Sequence, residues 1–383
     1  MVYVHTKERI NVLYITHYPD LYGANLSMLS MINAVKDAVN PIVVIPAKGP
    51  VCEKLEERGI PYYVIPFAVP FITNKARTLA NLLKISIKIC IYVFINLPAY
   101  WKLSKCVKSN HIQIIHSNTS LVTVGYHISK LMGLKHVWHI REFQDKDYNY
   151  KSYQPRWMYR KKLERTDAVI CISNALAKYF SIENKAKVLY NPITVEDSTK
   201  KVVKENYFLF CGLVLKNKGI EDLIAAFGSF IKLVPDYRLL IAGNVDSQYK
   251  QFLTAKIKEN ESSGNVYFLG HRTDIMDLMG SAKALIMSSK SEAMGRVTIE
   301  AMMNHCVVIG YNNAGTAELI TDNKTGLLYD TIEELVSKMV YIAENEDQRI
   351  FIEDQAFTYS RNTFTEEKFG KAISSLYEEL LKK

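Results

Sequence analysis

Two glutamates, Glu292 and Glu300, stand near the two ends of the segment S-E-A-M-G-R-V-T-I-E-A-M-M. The residues up to Gly295 have the composition of a loop, whereas the apolar spacing from Val297 onward predicts a helix. Free N–H groups in the first turn of that helix would favour a phosphate. Glu300 would share a face with Arg296 and could accept hydrogen bonds from ribose hydroxyls, while Glu292 could contact a second polyol. The segment therefore predicts a nucleotide-sugar site, with a capped surface helix as the competing interpretation.

A second candidate site follows the apolar run Y-F-L-F-C-G, which ends at Gly212. Lys216 and Lys218 come just before a helix that we predict to start near Gly219. Two ammonium groups beside a helix N-terminus suit a diphosphate. A solvated basic loop is the alternative interpretation.

Candidate ligand contacts also follow the apolar runs of the first half. Gly23 comes where a helix opens, so the backbone there could approach a ligand closely, although an ordinary turn glycine would look the same. His139 ends the run H-V-W-H-I, where a histidine can hydrogen-bond a substrate, move a proton or be purely structural. Thr119 and Ser120 are expected to cap the helix near Leu121. The candidates for acceptor binding are Asn118, Arg141 and Glu142.

Short β-branched runs alternate with amphipathic segments along the chain, which predicts an α/β fold built from two Rossmann-like, doubly wound domains. We expect domains over residues 1–195 and 196–363, a polar link over 194–206 and a final helix over 364–383. Ligands of such sheets bind at the carboxyl ends of strands, where all the candidates above lie. The runs cover residues 10–16, 42–46, 62–65, 112–116, 136–140, 168–173, 207–212, 238–243, 266–270, 284–288, 307–310 and 326–329.

Charge is divided unevenly along the chain. Residues 1–200 hold 27 Lys and Arg against 14 Asp and Glu, whereas residues 201–383 have a net charge of −4. This asymmetry suggests that the first half faces something anionic. No nucleic-acid motif is present, and the aromatic residues lie in an apolar segment, which argues against nucleic acid.

The segment over residues 81–108 is both apolar and basic. Its uncharged run from Ile89 to Trp101 is too short to span a bilayer, and Pro98 interrupts it. We therefore predict an interfacial helix with snorkelling lysines on an anionic membrane, with a helix that simply covers the sheet as the alternative.

The six cysteines are scattered, four of them within apolar runs, and the N-terminus carries charges where a secretory signal would be apolar. Both observations favour a cytoplasmic protein with buried, reduced cysteines. The D-K-D at 145–147 follows no strand directly, and we predict no metal site there.

Taken together, these motifs resemble the retaining GT-B glycosyltransferases of family 4, also called group 1. Glu292 and Glu300 match the E-x7-E element of that family. The resemblance covers most of residues 10–345 and implies two domains facing each other across a cleft, with the final helix returning to the first domain. The other matching segments are F-L-G-H-R-T-D-I (268–275), N-N-A-G-T-A-E-L-I (312–320), N-K-T-G-L-L-Y (323–329), I-C-I-S-N (170–174) and L-Y-N-P-I (189–193).

The resemblance also implies residue roles. Glu300 would hold the ribose, Glu292 would contact the donor sugar, and Lys218 would neutralise the diphosphate. His139 would lie near the transferred sugar, so the implied catalytic residues are His139, Glu292 and Lys218. Leu213 stands where the family usually has an arginine, and Lys216 is the candidate replacement. The implied donor-binding set is completed by Gly23, Gly212, Met294, Gly295, Arg296 and Val297.

The implied activity is that of a retaining hexosyltransferase that uses a nucleoside-diphosphate sugar, with a UDP-sugar favoured and no metal or other cofactor required. The acceptor would be a saccharide, lipid-linked, in the synthesis of a bacterial surface polysaccharide at the inner face of the cell membrane. Two alternatives stay open, namely a sugar-nucleotide epimerase-like isomerase and a catalytically weak scaffold homologue.

Overall fold

The computed structural model describes residues 8–73, 79–148, 150–152, 154–193 and 202–382. They form two compact units, one comprising Met1–Pro192 with Glu366–Lys383 and the other Ile193–Thr365. Most of the expected link, residues 194–201, lies outside the described residues. Its residues 205 and 206 belong to the first strand of the second unit.

The first unit is built around a seven-stranded parallel sheet in the order β3-β2-β1-β5-β6-β8-β9. The order reverses direction beside β1, so the ends of β1 and β5 form a topological switch point. A short antiparallel pair, β4 with β7, stands apart from it. The strands are β1 (Ile10–Ile15), β2 (Val39–Ile45), β3 (Tyr62–Val64), β4 (Phe71–Thr73), β5 (Ile114–Ser117), β6 (Lys135–Ile140), β7 (Tyr150–Ser152), β8 (Ala168–Cys171) and β9 (Ala186–Val188).

Helices cover both faces of this sheet. Along β1, Val12 and Tyr14 enter the core on one face, whereas Leu13 and Ile15 enter the core on the other. A central strand buried on both sides needs a continuous apolar run, which is what the sequence supplies. The helices here are α1 (Gly23–Ala34), α2 (Pro50–Glu57), α3 (Leu79–Ser109), α4 (Thr123–Met132), α5 (Asp145–Tyr148), α6 (Arg156–Arg165) and α7 (Asn174–Phe180).

The second unit repeats the architecture with a six-stranded parallel sheet in the order β12-β11-β10-β13-β14-β15. Its switch point lies between β10 and β13. The strands are β10 (Glu205–Cys211), β11 (Arg238–Ala242), β12 (Val266–Gly270), β13 (Ala282–Met287), β14 (Val307–Tyr311) and β15 (Leu327–Tyr329). The helices are α8 (Ile220–Ile231), α9 (Ser247–Glu259), α10 (Ile275–Ser281), α11 (Arg296–Met303), α12 (Ala314–Leu319), α13 (Ile332–Glu344) and α14 (Glu346–Thr363).

The prediction of two doubly wound α/β domains is confirmed, and every apolar run expected to be a strand contributes one. The last helix, α15 (Glu366–Lys382), belongs to the first unit and packs on α1. A side chain at Gly370 would come within 2.3 Å of the carbonyl oxygen of Ala34, so a glycine permits this close approach.

Helix α3 differs from the expectation in two respects. It continues through Pro98 instead of being interrupted there, and Cys90, expected to be buried, is exposed. Its C-terminal half covers the sheet, where Leu103 and Val107 join the core, so the competing interpretation is right for that half. Among the described residues, no helix is both long enough and apolar enough to cross a bilayer.

Candidate functional site

The two loops that follow the central strands of the second unit come together at the switch point between β10 and β13. The Lys218 ammonium donates to the Glu292 carboxylate over 2.7 Å, and the Ser288 hydroxyl donates to the carbonyl oxygen of Lys218 over 2.8 Å. Glu292, expected to be free to meet a polyol, pairs with Lys218 here, and its contact with a sugar stays a prediction. The sequence did not predict this pairing, because residues 74 positions apart meet only once the strand order is known.

Glycines make this approach possible. Gly219 has φ +70°, and a side chain there would lie 2.0 Å from the carbonyl oxygen of Ser288. Gly243 brings the end of β11 against the carbonyl oxygen of Gly212, which itself has φ +144°. Residues with side chains rarely adopt such backbone angles, so glycine is favoured at these positions. Because glycine has no side chain, it does not cover the strand ends, and a ligand can approach the backbone there.

Helix α11 begins at Arg296, directly after Gly295, which adopts the left-handed conformation at φ +85°. The Thr298 N–H donates to the carbonyl oxygen of Gly295 over 3.0 Å, and no side chain caps this end, so the N–H groups ahead of it in the first turn remain open to an anion. Glu300 shares a face of the helix with Arg296 as expected, and Nε of Arg296 donates to its carboxylate over 2.6 Å. Met294 is buried and holds the loop against the unit, while Val297 is half-buried.

Four buried hydroxyls, in this loop, in the first turn of α11 and on α12, have no hydrogen-bond partner among the described residues. They had not been predicted as site residues. Buried hydroxyls normally find partners, so unpaired ones beside a bare helix end indicate a position that a polar ligand can complete. The serines could have been noticed in the sequence, since S-S-K-S directly follows β13. The four are Ser289, Ser291, Thr298 and Thr316.

Leu213 and Lys216 lie on the loop between β10 and α8. Leu213 is 57% exposed, although a leucine gains nothing from contact with water. Lys216 opens a single turn of 3-10 helix that ends at Lys218, so both cations precede α8 as predicted. Lys216 is exposed, so its ammonium can move on a flexible stem.

In the first unit, the switch point carries the loop from β1 to α1. Gly23 is the first residue of α1, and a side chain at this position would meet nothing within 4 Å. Packing therefore does not require glycine here, and the space above the helix end is open. The Asn118 amide donates to the carbonyl oxygen of Ala24 over 3.0 Å and ties the end of β5 to this helix.

His139 lies on β6, one residue before the strand ends, and is completely buried. Its Nδ1 lies 3.1 Å from Nη2 of Arg141 and 3.2 Å from Nε2 of His116. The Tyr377 hydroxyl of α15 is 2.7 Å from Nδ1 of His116, and it is also 3.2 Å from the Tyr14 hydroxyl. A chain of hydrogen bonds thus runs from the C-terminal helix to His139.

This chain determines which nitrogen of His139 carries the proton. Burial, with the positive charge of Arg141, lowers the pKa of His139 well below its ordinary value, so the ring is neutral. A guanidinium is always a donor, so Nδ1 must accept and the proton must lie on Nε2. Nε2 is buried and has no partner among the described residues. His139 therefore presents a fixed N–H donor that the protein itself leaves unused.

The three residues predicted for acceptor binding all form hydrogen bonds within the first unit. Nε of Arg141 donates to the side-chain and main-chain oxygens of Asn118, each over 3.1 Å, and its Nη1 donates to Asn191. Glu142 accepts from the backbone N–H of Ser120 over 2.8 Å and also from its hydroxyl. All are buried, which lowers the pKa of Arg141 to about 10.

The capping role expected for Thr119 and Ser120 is wrong. Helix α4 begins at Thr123 with Val122 at its N-cap position and no side-chain cap. The Thr119 hydroxyl instead lies 2.9 Å from Nδ1 of His17. Across the described ranges, no three His, Cys, Asp or Glu side chains are grouped so that they could hold a metal ion.

Two family models match consecutive parts of the chain. Residues 50–197 match the model described as Glycosyltransferase Family 4, and residues 194–357 match Glycosyl transferases group 1. Together they extend over residues 50–357.

Individual proteins agree with this result. An uncharacterised glycosyltransferase of Methanocaldococcus jannaschii is 25% identical over 285 residues, which is 72% of this chain and 77% of that protein. The capsular polysaccharide biosynthesis glycosyltransferase CapM of Staphylococcus aureus is 22% identical over 197 residues, 49% of this chain and 50% of its own length. The chain thus aligns with about half of CapM.

Among solved structures, Anabaena HepE in complex with UDP superposes with a TM-score of 0.79 at 19% identity, covering 97% of this chain and 100% of HepE. A complex of HepE with UDP-glucose gives a TM-score of 0.73 over the same coverage, also at 19% identity. At this level of identity the likeness establishes the fold.

Proposed function

The chain belongs to family 4 of the glycosyltransferases and has the GT-B fold, and from this premise we propose that it transfers a hexose from a UDP-sugar to a saccharide acceptor with retention at the anomeric carbon. UDP is favoured as the carrier because HepE, which shares the fold, has been crystallised with UDP and with UDP-glucose.

One observation carries the proposal. The uncapped start of α11 and the Lys218–Glu292 pair occupy the same switch point, with Glu300 one turn into the helix. Main-chain N–H groups and Lys218 would bind the diphosphate, and Glu300 would accept from the ribose. Glu292 would leave Lys218 for the hydroxyls of the donor sugar.

These residues would stabilise the charge of the diphosphate and position the transferred sugar. Lys218, with Lys216 nearby, would stabilise the negative charge that develops on the departing diphosphate. That diphosphate would take the acceptor proton on the face it leaves, so the enzyme needs no protein nucleophile and no metal. His139 Nε2–H would donate a hydrogen bond to the transferred sugar. Because its tautomer is fixed, its role would be orientation and not proton removal.

The proposed acceptor is a lipid-linked saccharide of surface-polysaccharide synthesis, and the proposed membrane contact is α3. CapM is similar to this chain and is named for capsular polysaccharide biosynthesis. On α3, Phe94 is 78% exposed, Leu97 63% and Trp101 59%. Lys105 lies over the Trp101 ring at 3.7 Å, which places a cation beside exposed apolar side chains.

Product analysis tests the proposed activity. The protein is incubated with UDP-glucose alone and with UDP-glucose plus membrane-extracted lipid-linked saccharides, and the products are identified by NMR. We expect a new α-linked saccharide and free UDP when acceptor is present. An epimerised nucleotide-sugar formed without acceptor would indicate the isomerase, whereas UDP binding without turnover would indicate the scaffold.

A further inference from the structure

Helix α6 carries an unusual charge for its length. Within ten residues it has five basic side chains and one acidic side chain. The single carboxylate, Glu164, accepts from Arg160 over 2.9 Å. Two side chains, Tyr159 and Leu163, anchor the helix in the unit, so its remaining surface faces outward with a net positive charge.

One face of α6 borders a hollow against α4 with a volume of about 280 Å³. Trp157 is 65% exposed and Met158 38% exposed at the rim of this hollow, although both side chains are apolar. Spacing of four residues places Trp157, Lys161 and Arg165 in one stripe. The hollow is lined by Tyr126, Trp157, Met158, Lys161, Lys162 and Arg165.

The cations of this hollow lack compensating charge in the part of the chain that the structure describes. Lys161 and Arg165 make no ion pair with a described residue. The Lys162 ammonium donates to Nε2 of His127 over 3.1 Å. Burial, with the charge of Lys162, lowers the pKa of His127 to about 4. The ring is therefore neutral and carries no charge that could balance the cations of the hollow. A ligand of this hollow must therefore bring negative charge, and one with an apolar part would also cover Trp157.

Helix α6 lies close to α3. His127 of α4 contacts both, because its ring centroid is 6.3 Å from that of Tyr100 on α3 while Lys162 of α6 donates to it. Helices α3 and α6 therefore both lie beside α4, so one flat surface could contact both helices.

We propose that the face of α6 formed by Trp157, Lys161 and Arg165 binds the phosphate headgroups of anionic phospholipid at a bilayer surface. The indole and the Met158 thioether would lie at the acyl boundary, and the cations would lie at headgroup level. The proposal rests on the proposed function in one point, namely that α3 contacts a membrane. It adds a second, electrostatic contact that selects anionic lipid.

Co-sedimentation of the full chain with vesicles tests this binding without donor or acceptor, so a failure of the proposed transfer reaction would not affect it. Vesicles of phosphatidylcholine alone are compared with vesicles containing about one quarter phosphatidylglycerol. Each basic residue near an anionic surface strengthens binding about fivefold. We therefore expect the variant Lys161→Gln/Arg165→Gln to bind the anionic vesicles roughly 25-fold more weakly than the unaltered protein.

The matched control is Lys250→Gln/Lys258→Gln on α9, which removes the same charge from exposed positions of the other unit. Equal vesicle binding by the two double variants would overturn the proposal. Millimolar sodium phosphate is also compared with sodium chloride at the same ionic strength. If phosphate displaces the protein from the vesicles and chloride does not, the hollow is a site for free phosphate and the proposal is overturned. In a Trp101→Phe protein, a blue shift of Trp157 emission on anionic vesicles would support the proposed depth of the indole, and an unchanged spectrum would contradict it.

Discussion

At the scale of single residues, the sequence indicates candidate donor residues but not all of their partners. Helical spacing alone predicted that Arg296 and Glu300 share a face, which is where they form a pair. The contact of Lys218 with Glu292 depends on the order of strands, which spacing does not give. The proton on Nε2 of His139 follows from the contacts of its Nδ1 with Arg141 and with His116 of β5, which the sequence alone does not give.

The proposed compensation for Leu213 gives a first prediction. If Lys216 replaces the cation that the family usually has at 213, Lys216→Ala should lower kcat about 10- to 100-fold, since a diphosphate charge contact is lost in the transition state. Leu213→Arg should restore most of that loss, because this exposed position can accept an arginine without a cost in packing. Steady-state kinetics of both single variants and the double variant measure the effect. The matched control is Leu233→Arg, another exposed leucine of the same unit, and an equal rescue by it would refute the assignment.

The tautomer of His139 gives a second prediction at this scale. Ring nitrogen chemical shifts in ¹⁵N-histidine-labelled protein should show its proton on Nε2 at neutral pH. Tyr377→Phe removes the hydroxyl that is hydrogen-bonded to Nδ1 of His116, and it should loosen this preference and raise KM for the donor more than it lowers kcat. A His139 ring that carries its proton on Nδ1 in the unaltered protein would contradict the interpretation.

At the scale of elements, strands marked by an apolar run could be predicted and strands without one could not. Strands β4, β7 and β9 have three residues each and lie outside the apolar runs, whereas β3 and β15 are as short but were predicted from their runs. The β4–β7 pair also joins segments far apart in the chain. Helix α3 was predicted as a basic apolar segment, but its division into a buried half and an exposed half depends on where the sheet ends.

The exposed half of α3 carries the prediction at the scale of elements. Phe94→Ser/Leu97→Ser should weaken vesicle binding because it removes apolar area that a membrane interface would cover. The melting temperature should stay within about 2 °C, since both side chains are exposed in the folded protein. Co-sedimentation and calorimetry measure the two effects, with Leu233→Ser as the matched exposed leucine of the second unit. Unaltered vesicle binding would show that α3 is a structural helix alone.

At the scale of the whole molecule, the described part of the first unit has three buried histidines, His116, His136 and His139, whereas that of the second unit has one, His305. Five histidines of the first unit have a pKa below the ordinary value of 6.5, mainly because burial disfavours the charged form. Their pKa is about 4 for His17 and His127 and about 3 for His136, and it is well below 6.5 for His116 and His139.

This difference predicts how stability changes with pH. The unfolded chain binds protons at these histidines below about pH 6.5, whereas the folded chain does not until much lower pH. Stability should therefore be present above pH 6.5 and lost as the pH falls towards 4. Calorimetry at pH 5.5, in buffers of different ionisation enthalpy, should show uptake of several protons on unfolding. Unfolding at pH 5.5 without proton uptake would mean that these rings are already charged in the folded protein.

The most direct test of the central claim is the affinity of UDP for the second unit's switch point. Isothermal titration should give a Kd for UDP that Glu300→Gln weakens about 10- to 100-fold, because a charge-assisted hydrogen bond to the ribose is lost. Arg296→Ala separates this effect from the loss of the Arg296–Glu300 pair, and Glu333→Gln on α13 controls for the change in charge. The account predicts that Glu300→Gln weakens UDP binding and that Glu333→Gln does not. Equal affinity of Glu300→Gln and the unaltered protein for UDP would contradict it.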